Sequence, residues 1–149
     1  MSAAAISVRT IIRDTIIAML ESRKNQSIAR IASFSVSPRF LTQLETKQAN
    51  TYCVIVTDEA FQEVTHGRRD ASLTVKLVVY AYDTKDPRAP LDAMIEDAYE
   101  VMSSLQQHAD MSSLIWHVSP ESITTDEATT DAGPWAQALC TWTLQHRRS

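Results

Sequence analysis

A chain of 149 residues with 44% hydrophobic and 21% charged residues can bury about 70% of its unfolded surface in one domain, without a metal or a disulfide. The net charge of -4 excludes a global basic footprint of the kind a dedicated nucleic-acid binder carries. With Gly67 and Gly133 as the only glycines, no glycine-rich phosphate cradle can be built. The opening MSAAAISVRTIIRD has no basic segment leading into an apolar one, and no apolar run approaches the ~18 residues of a membrane span. A protein that is cytosolic when made and not inserted in a membrane is expected.

In chain order, residues 6 to 23 form the first predicted helix, with Val8, Ile12, Ile16 and Met19 on one stripe and Ile11, Thr15 and Leu20 at its flanks. Ser7 suits the N-cap, and Arg23 and Lys24 suit the negative end of the helix dipole. The helical period turns Ile17 away from the stripe, as a scattered exposed residue or as an interface contact. Residues 28 to 36 alternate weakly as a strand ended by Pro38. From Ser37 to Asn50 the chain turns polar, with Arg39 and Lys47, and reads as a long loop or arm. YCVIVT at 52–57 and FQEVT at 61–65 read as two short strands joined at Asp58–Glu59, and HGRR at 66–69 as the turn after them.

DASLTVKLVVYAYD at 70–83 gives the strongest strand signal, with Leu73, Val75, Leu77, Val79 and Ala81 alternating against Thr74, Lys76, Val78, Tyr80 and Tyr82. A second helix starts between Asp86 and Pro90. Its apolar stripe is Leu91, Met94, Ile95, Ala98, Val101, Met102 and Leu105, while Asp92, Glu96, Asp97 and Glu100 lie opposite and read as a solvated surface. Short strands come next at Leu114–Val118 and, as a polar edge, at Glu121–Thr130. Gly133–Pro134 reads as a turn, Trp135–Leu144 as the last strand, and HRRS as a basic tail. The order predicts an α+β fold: a mixed, mainly antiparallel sheet with two amphipathic helices packed on one face.

The residues offer little chemistry. His66, His108, His117 and His146 are scattered, without a metal-ligand spacing. No GxSxG elbow or cysteine–histidine signature occurs, and Cys53 and Cys140 sit in apolar strand patterns as inert thiols, with their separation left open. Asp83 to Asp86 reads as a capped turn rather than a cation site. Arg68–Arg69 and Arg147–Arg148 could touch phosphates or an acidic partner; their simpler role is solubility and protection of sheet edges. No catalytic, metal-binding or cofactor-binding residue is identified, and no enzymatic activity is expected.

The succession ISVRTIIRDTIIAMLES, polar arm, LTVKLVVYAYD with its proline-marked turn, LDAMIEDAYEVMSSL and the late strand ITTDEATTDAGPWAQALCTWTLQH resembles the tail terminator proteins of long-tailed bacteriophages, also described as minor tail or tail completion proteins. The resemblance implies a structural virion protein made in the host cytoplasm. It implies a hexameric ring on the head-proximal end of the tail tube that stops polymerisation and offers a docking surface to the neck or connector, with DNA only in transit through its lumen. Expected partners are further copies of the chain, the tail tube protein and the neck protein. Candidate assembly contacts are Ile17, Arg39, Lys47, Arg68, Arg69, Arg147 and Arg148. Two other readings are a neck or head–tail joining protein, and a small α+β ligand-binding domain with Tyr80, Tyr82, Trp135 and Leu139 lining a pocket on the far sheet face.

Overall fold

The computed structural model describes residues 7–31, 33–41, 49–65, 68–83, 85–109, 111–112, 114–130 and 133–148. Its elements are α1 (Val8–Asn25), β1 (Ser35–Ser37), β2 (Thr51–Thr65), β3 (Arg68–Tyr82), α2 (Arg88–Ser104), a single 3-10 turn (Leu105–Gln107), β4 (Ile115–Thr130) and β5 (Gly133–Arg148). The strands form one sheet in the order β1-β2-β3-β5-β4, parallel between β1 and β2 and antiparallel elsewhere. This is the expected α+β arrangement.

β3 is central because its alternation is clean. Leu73, Val75, Leu77, Val79 and Ala81 are completely buried under the helices, beside Ala136, Ala138, Cys140 and Leu144 of β5. The stripe of α2 enters the same core as predicted. In α1 the buried residues are Ile12, Thr15, Ile16 and Leu20, so the stripe is centred further round than expected and Met19 falls at its margin. Buried Thr15 satisfies its hydroxyl by donating to the Ile11 carbonyl at 2.7 Å. Ile17 is half-buried against the core rather than exposed, because α1 packs against β1, β2 and α2 together and buries a wide face. Tyr52 crosses the core and donates its hydroxyl to the Met94 carbonyl at 2.8 Å; burial raises its pKa far above the ordinary phenol range.

Several strand expectations need correction. The two short strands at 52–57 and 61–65 are one strand, β2. Val56 pairs with Val75 and Glu59 with Leu73, so one extra residue bulges out at the supposed hairpin turn. The bulge reverses parity: Tyr52 and Val54 face the helices before it, and Glu59 after it. Arg9 of α1 covers the irregular backbone, donating to the carbonyls of Val56 at 3.1 Å and Thr57 at 2.5 Å. Leu114–Val118 and Glu121–Thr130 are likewise one strand, β4, which carries Pro120 at a bulge on the sheet edge where its missing N–H is tolerated. The weak strand at 28–36 shrinks to the three residues of β1. Arg68 and Arg69 belong to β3 instead of a turn, and Arg147 and Arg148 extend β5 instead of forming a tail.

The far face of the sheet has a smaller core of Cys53, Val78 and Tyr80 with Leu41, Ile55, Tyr82 and Leu139 packed on it. Cys53 is thus on one face and Cys140 on the other, and the sheet keeps the two thiols apart. Burial pushes the Cys140 thiol up to about 12, which keeps it protonated and inert.

α1 begins with Ser7, whose hydroxyl accepts from the Arg9 N–H at 3.2 Å. It ends in a paired reversal in which Ser27 N donates to the Lys24 carbonyl and Ile28 N to the Arg23 carbonyl. Ser27 stands there at a φ of 59°, a left-handed position that favours glycine. Ser27→Gly is expected to raise unfolding stability by about 1 kcal/mol, read as a shift of the urea midpoint with unchanged slope. Ala98→Asp is expected to abolish cooperative folding, since it puts an unpaired charge into the fully buried seam between α2 and the sheet; circular dichroism on heating checks it.

Candidate functional site

The most accessible feature of the sheet is β4. Among the described residues it pairs only with β5, so β4 is the last strand on that side of the sheet. Residues 120–127 are all exposed, and Trp116 and Ile123 are large apolar side chains left about half in solvent. The strand carries Glu121, Asp126 and Glu127 with no lysine or arginine. Glu121 accepts the Thr143 hydroxyl, Glu127 lies 3.8 Å from Arg88, and Gln106 donates to the Trp116 carbonyl at 2.8 Å. A proline, two bulges and carboxylates are the devices that keep an exposed strand from indiscriminate pairing.

The basic candidates fall at the other end of the sheet. Arg69 stands opposite Arg148 across the β3–β5 ladder, and Arg147 opposite Asp70; on the other side Thr65 pairs with Arg68 and Glu63 with Arg69. Two arginine pairs far apart in the sequence are thus brought onto neighbouring rungs. β4 starts at Ile115, opposite His146, so Arg147 and Arg148 run past its end. Arg39 is elsewhere, exposed in the segment after β1, where its backbone N–H donates to Ser37 Oγ at 3.2 Å. Ile17 is on α1, away from both groups, and Lys47 lies outside the described residues.

Two ionic groups that the sequence does not announce hold the helices. Asp97, expected on the solvated side of α2, is only 2% exposed. Its carboxylate accepts from Arg23 Nη2 at 3.2 Å, from Arg30 Nη1 at 2.5 Å and from the Arg30 backbone N–H at 2.8 Å. Glu100, one turn on, accepts from the same two guanidinium groups at 2.6 Å each. Four charged groups therefore lock the end of α1 and the chain after it to α2 with charge-assisted bonds. The second group is Arg9, Glu59 and His146: His146 Nε2 and Glu59 Oε2 are 2.9 Å apart, and Arg9 lies 3.6 Å from the other Glu59 oxygen. His146 is completely buried. The β2 bulge makes this contact possible by turning Glu59 toward the helix side.

The pocket expected on the far face is not open at Tyr80, which is 3% exposed and donates its hydroxyl to the Leu41 carbonyl at 3.0 Å. Trp135 lines a different cleft, of about 430 Å³, beside Lys85, Asp86, Arg88 and Glu127. Its main charges pair with each other: Arg88 Nε is 3.0 Å from Asp86, whose carboxyl it holds below the usual range. A second cleft of about 400 Å³ runs between α1 and α2, past Met19, Arg23, Val101 and His108. Among the described residues no group of three or more histidine, cysteine or carboxylate side chains is gathered as a metal would require, and no helix is long and apolar enough to cross a membrane.

Compared with known proteins, the chain matches no family model and no curated protein at a significant level.

The Asp97 group gives a pH dependence of defined sign. The Arg30 and Arg23 hydrogen bonds hold the Glu100 carboxyl down to about 2, from an ordinary 4.5. A depressed folded-state value stabilises the fold above the unfolded value, and that contribution is lost as pH falls. Stability is expected to decline between pH 4.5 and about 2, and Glu100→Gln is expected to flatten this part of the profile; urea titrations at stepped pH check both.

Proposed function

We propose that this protein is a structural subunit of a long-tailed bacteriophage, acting as a tail terminator. In this reading six copies close into a ring on the head-proximal end of the tail tube, end its polymerisation and present the opposite side of the ring to the neck. The observation that carries the reading is the outer edge of β4, which pairs with no further strand among the described residues and is exposed over residues 120–127, in a sheet whose helix side is closed. A ring of identical subunits needs two different surfaces on each copy, and a long free strand is a surface on which another chain can order.

The succession of helix, arm, long strand, helix and late aromatic strand supports the same assignment. So does the use made of charge: Asp97 with Arg23 and Arg30, and Glu59 with His146 and Arg9, hold elements together. The role is one of assembly without catalysis, and DNA is a passenger in the ring lumen.

Mass photometry and negative-stain microscopy of the purified protein, alone and mixed with polymerised tail tubes, test the reading. Six-fold rings and caps on one end of the tubes are expected. A particle that stays monomeric at every concentration and ignores the tubes overturns it. Rings that bind the portal–neck complex and leave tubes bare identify a head–tail joining protein instead.

A further inference from the structure

The charged residues of this chain are divided along the strands of the sheet. From Glu121 to Asp131 the sequence ESITTDEATTD holds four carboxylates and no cation. On the last rungs of β3 and β5 stand Arg68, Arg69, Arg147 and Arg148, with Glu63 and Asp70 as the carboxylates in register among them. That end is net basic in a chain whose total is -4. On β5, Arg148 is separated by twelve residues from Ala136, the partner of Glu127, a distance of about 40 Å along a strand. Glu121, bonded to Thr143, stands nearer, five residues or about 16 Å from Arg148; both distances exceed the screening length of ~8 Å at physiological salt, so the two groups neutralise each other little.

Carboxylates on an edge strand are usually edge protection, and here they also choose the partner. Two β4 edges brought together by a two-fold axis would oppose like charges, which disfavours isologous pairing. A β4 edge meeting the basic end of another copy opposes unlike charges. Such a contact is heterologous, and heterologous contacts generate rings when the rotation closes. Arg147 and Arg148 extend past the first rung of the β4–β5 ladder, Ile115 opposite His146.

We propose that copies of this chain join head to tail, the arginine-bearing end of one sheet docking on the acidic β4 edge of the next. The proposal rests on the ring reading above and names the two surfaces that make the ring.

Two variants test it. One carries Arg68, Arg69, Arg147 and Arg148→Glu; the other carries Glu121, Asp126 and Glu127→Lys. Each alone is expected to assemble at least tenfold more weakly than the unmodified chain. An equimolar mixture is expected to recover rings in which the variants alternate, because each end then meets its opposite. Recovery on mixing also shows that both variants are folded. For the unmodified chain, raising salt from 50 to 500 mM should dissociate rings.

Variants that assemble alone like the unmodified chain, or a mixture that stays dissociated while the double Arg147→Ser, Arg148→Ser chain assembles normally, overturn the proposal and leave the ring reading intact. Rings indifferent to salt overturn it as well. An arginine variant that assembles normally but loses affinity for duplex DNA assigns that end to phosphates instead. An unmodified chain that never associates ends both readings.

Discussion

Two helices can close only one face of a five-stranded sheet, and the side chains delivered to that face shape the rest of the molecule. β3 and β5 meet the requirement by unbroken alternation, with Leu73 to Ala81 and Ala136 to Leu144 turned to the helices. β2 and β4 meet it only piecewise. Each is longer than its regular pleat allows, and each inserts residues that switch the parity of the strand beyond them. In β2 the switch brings Glu59 inward to His146, and Arg9 secures both the carboxylate and the irregular backbone. The bulge is therefore part of how α1 is seated on the sheet.

Legibility in the sequence divides along the same line. β3, β5 and α2 are readable because their periods run uninterrupted, and the helix-on-sheet architecture comes from them. β2 and β4 each read as two pieces, since a bulge breaks a period of two into runs that look like separate strands, and Asp58–Glu59 and Pro120 resemble punctuation. Asp97 is misplaced for another reason. The helical period puts it beside Glu96 and Glu100, and its partners Arg23 and Arg30 lie 74 and 67 positions away, so no local pattern marks it as buried. The candidate assembly contacts are legible only as residue types. That Arg69 and Arg148 share a rung is a property of register, which composition does not carry.

The ionic lock and the open edge divide the labour of the fold. Asp97 and Glu100 hold the helix layer against the chain that leaves α1, so the turn at Ser27 is fixed by hydrogen bonds on both sides. β4, at the opposite margin, is exposed to solvent over residues 120–127.

The chain between β1 and β2 has a consequence of its own. Leu41 is fastened to the hydroxyl of Tyr80, and Asn50 accepts from the backbone N–H of Tyr82 through its side chain and from Ser35 through its carbonyl. Leu41 also packs on the small core of the far face; residues 42–48 of the expected loop or arm lie outside the described residues. Cys53 lies in the same core, completely buried with Val78 and Tyr80. The rate at which an alkylating reagent reaches that thiol is therefore a clock for the opening of this small core.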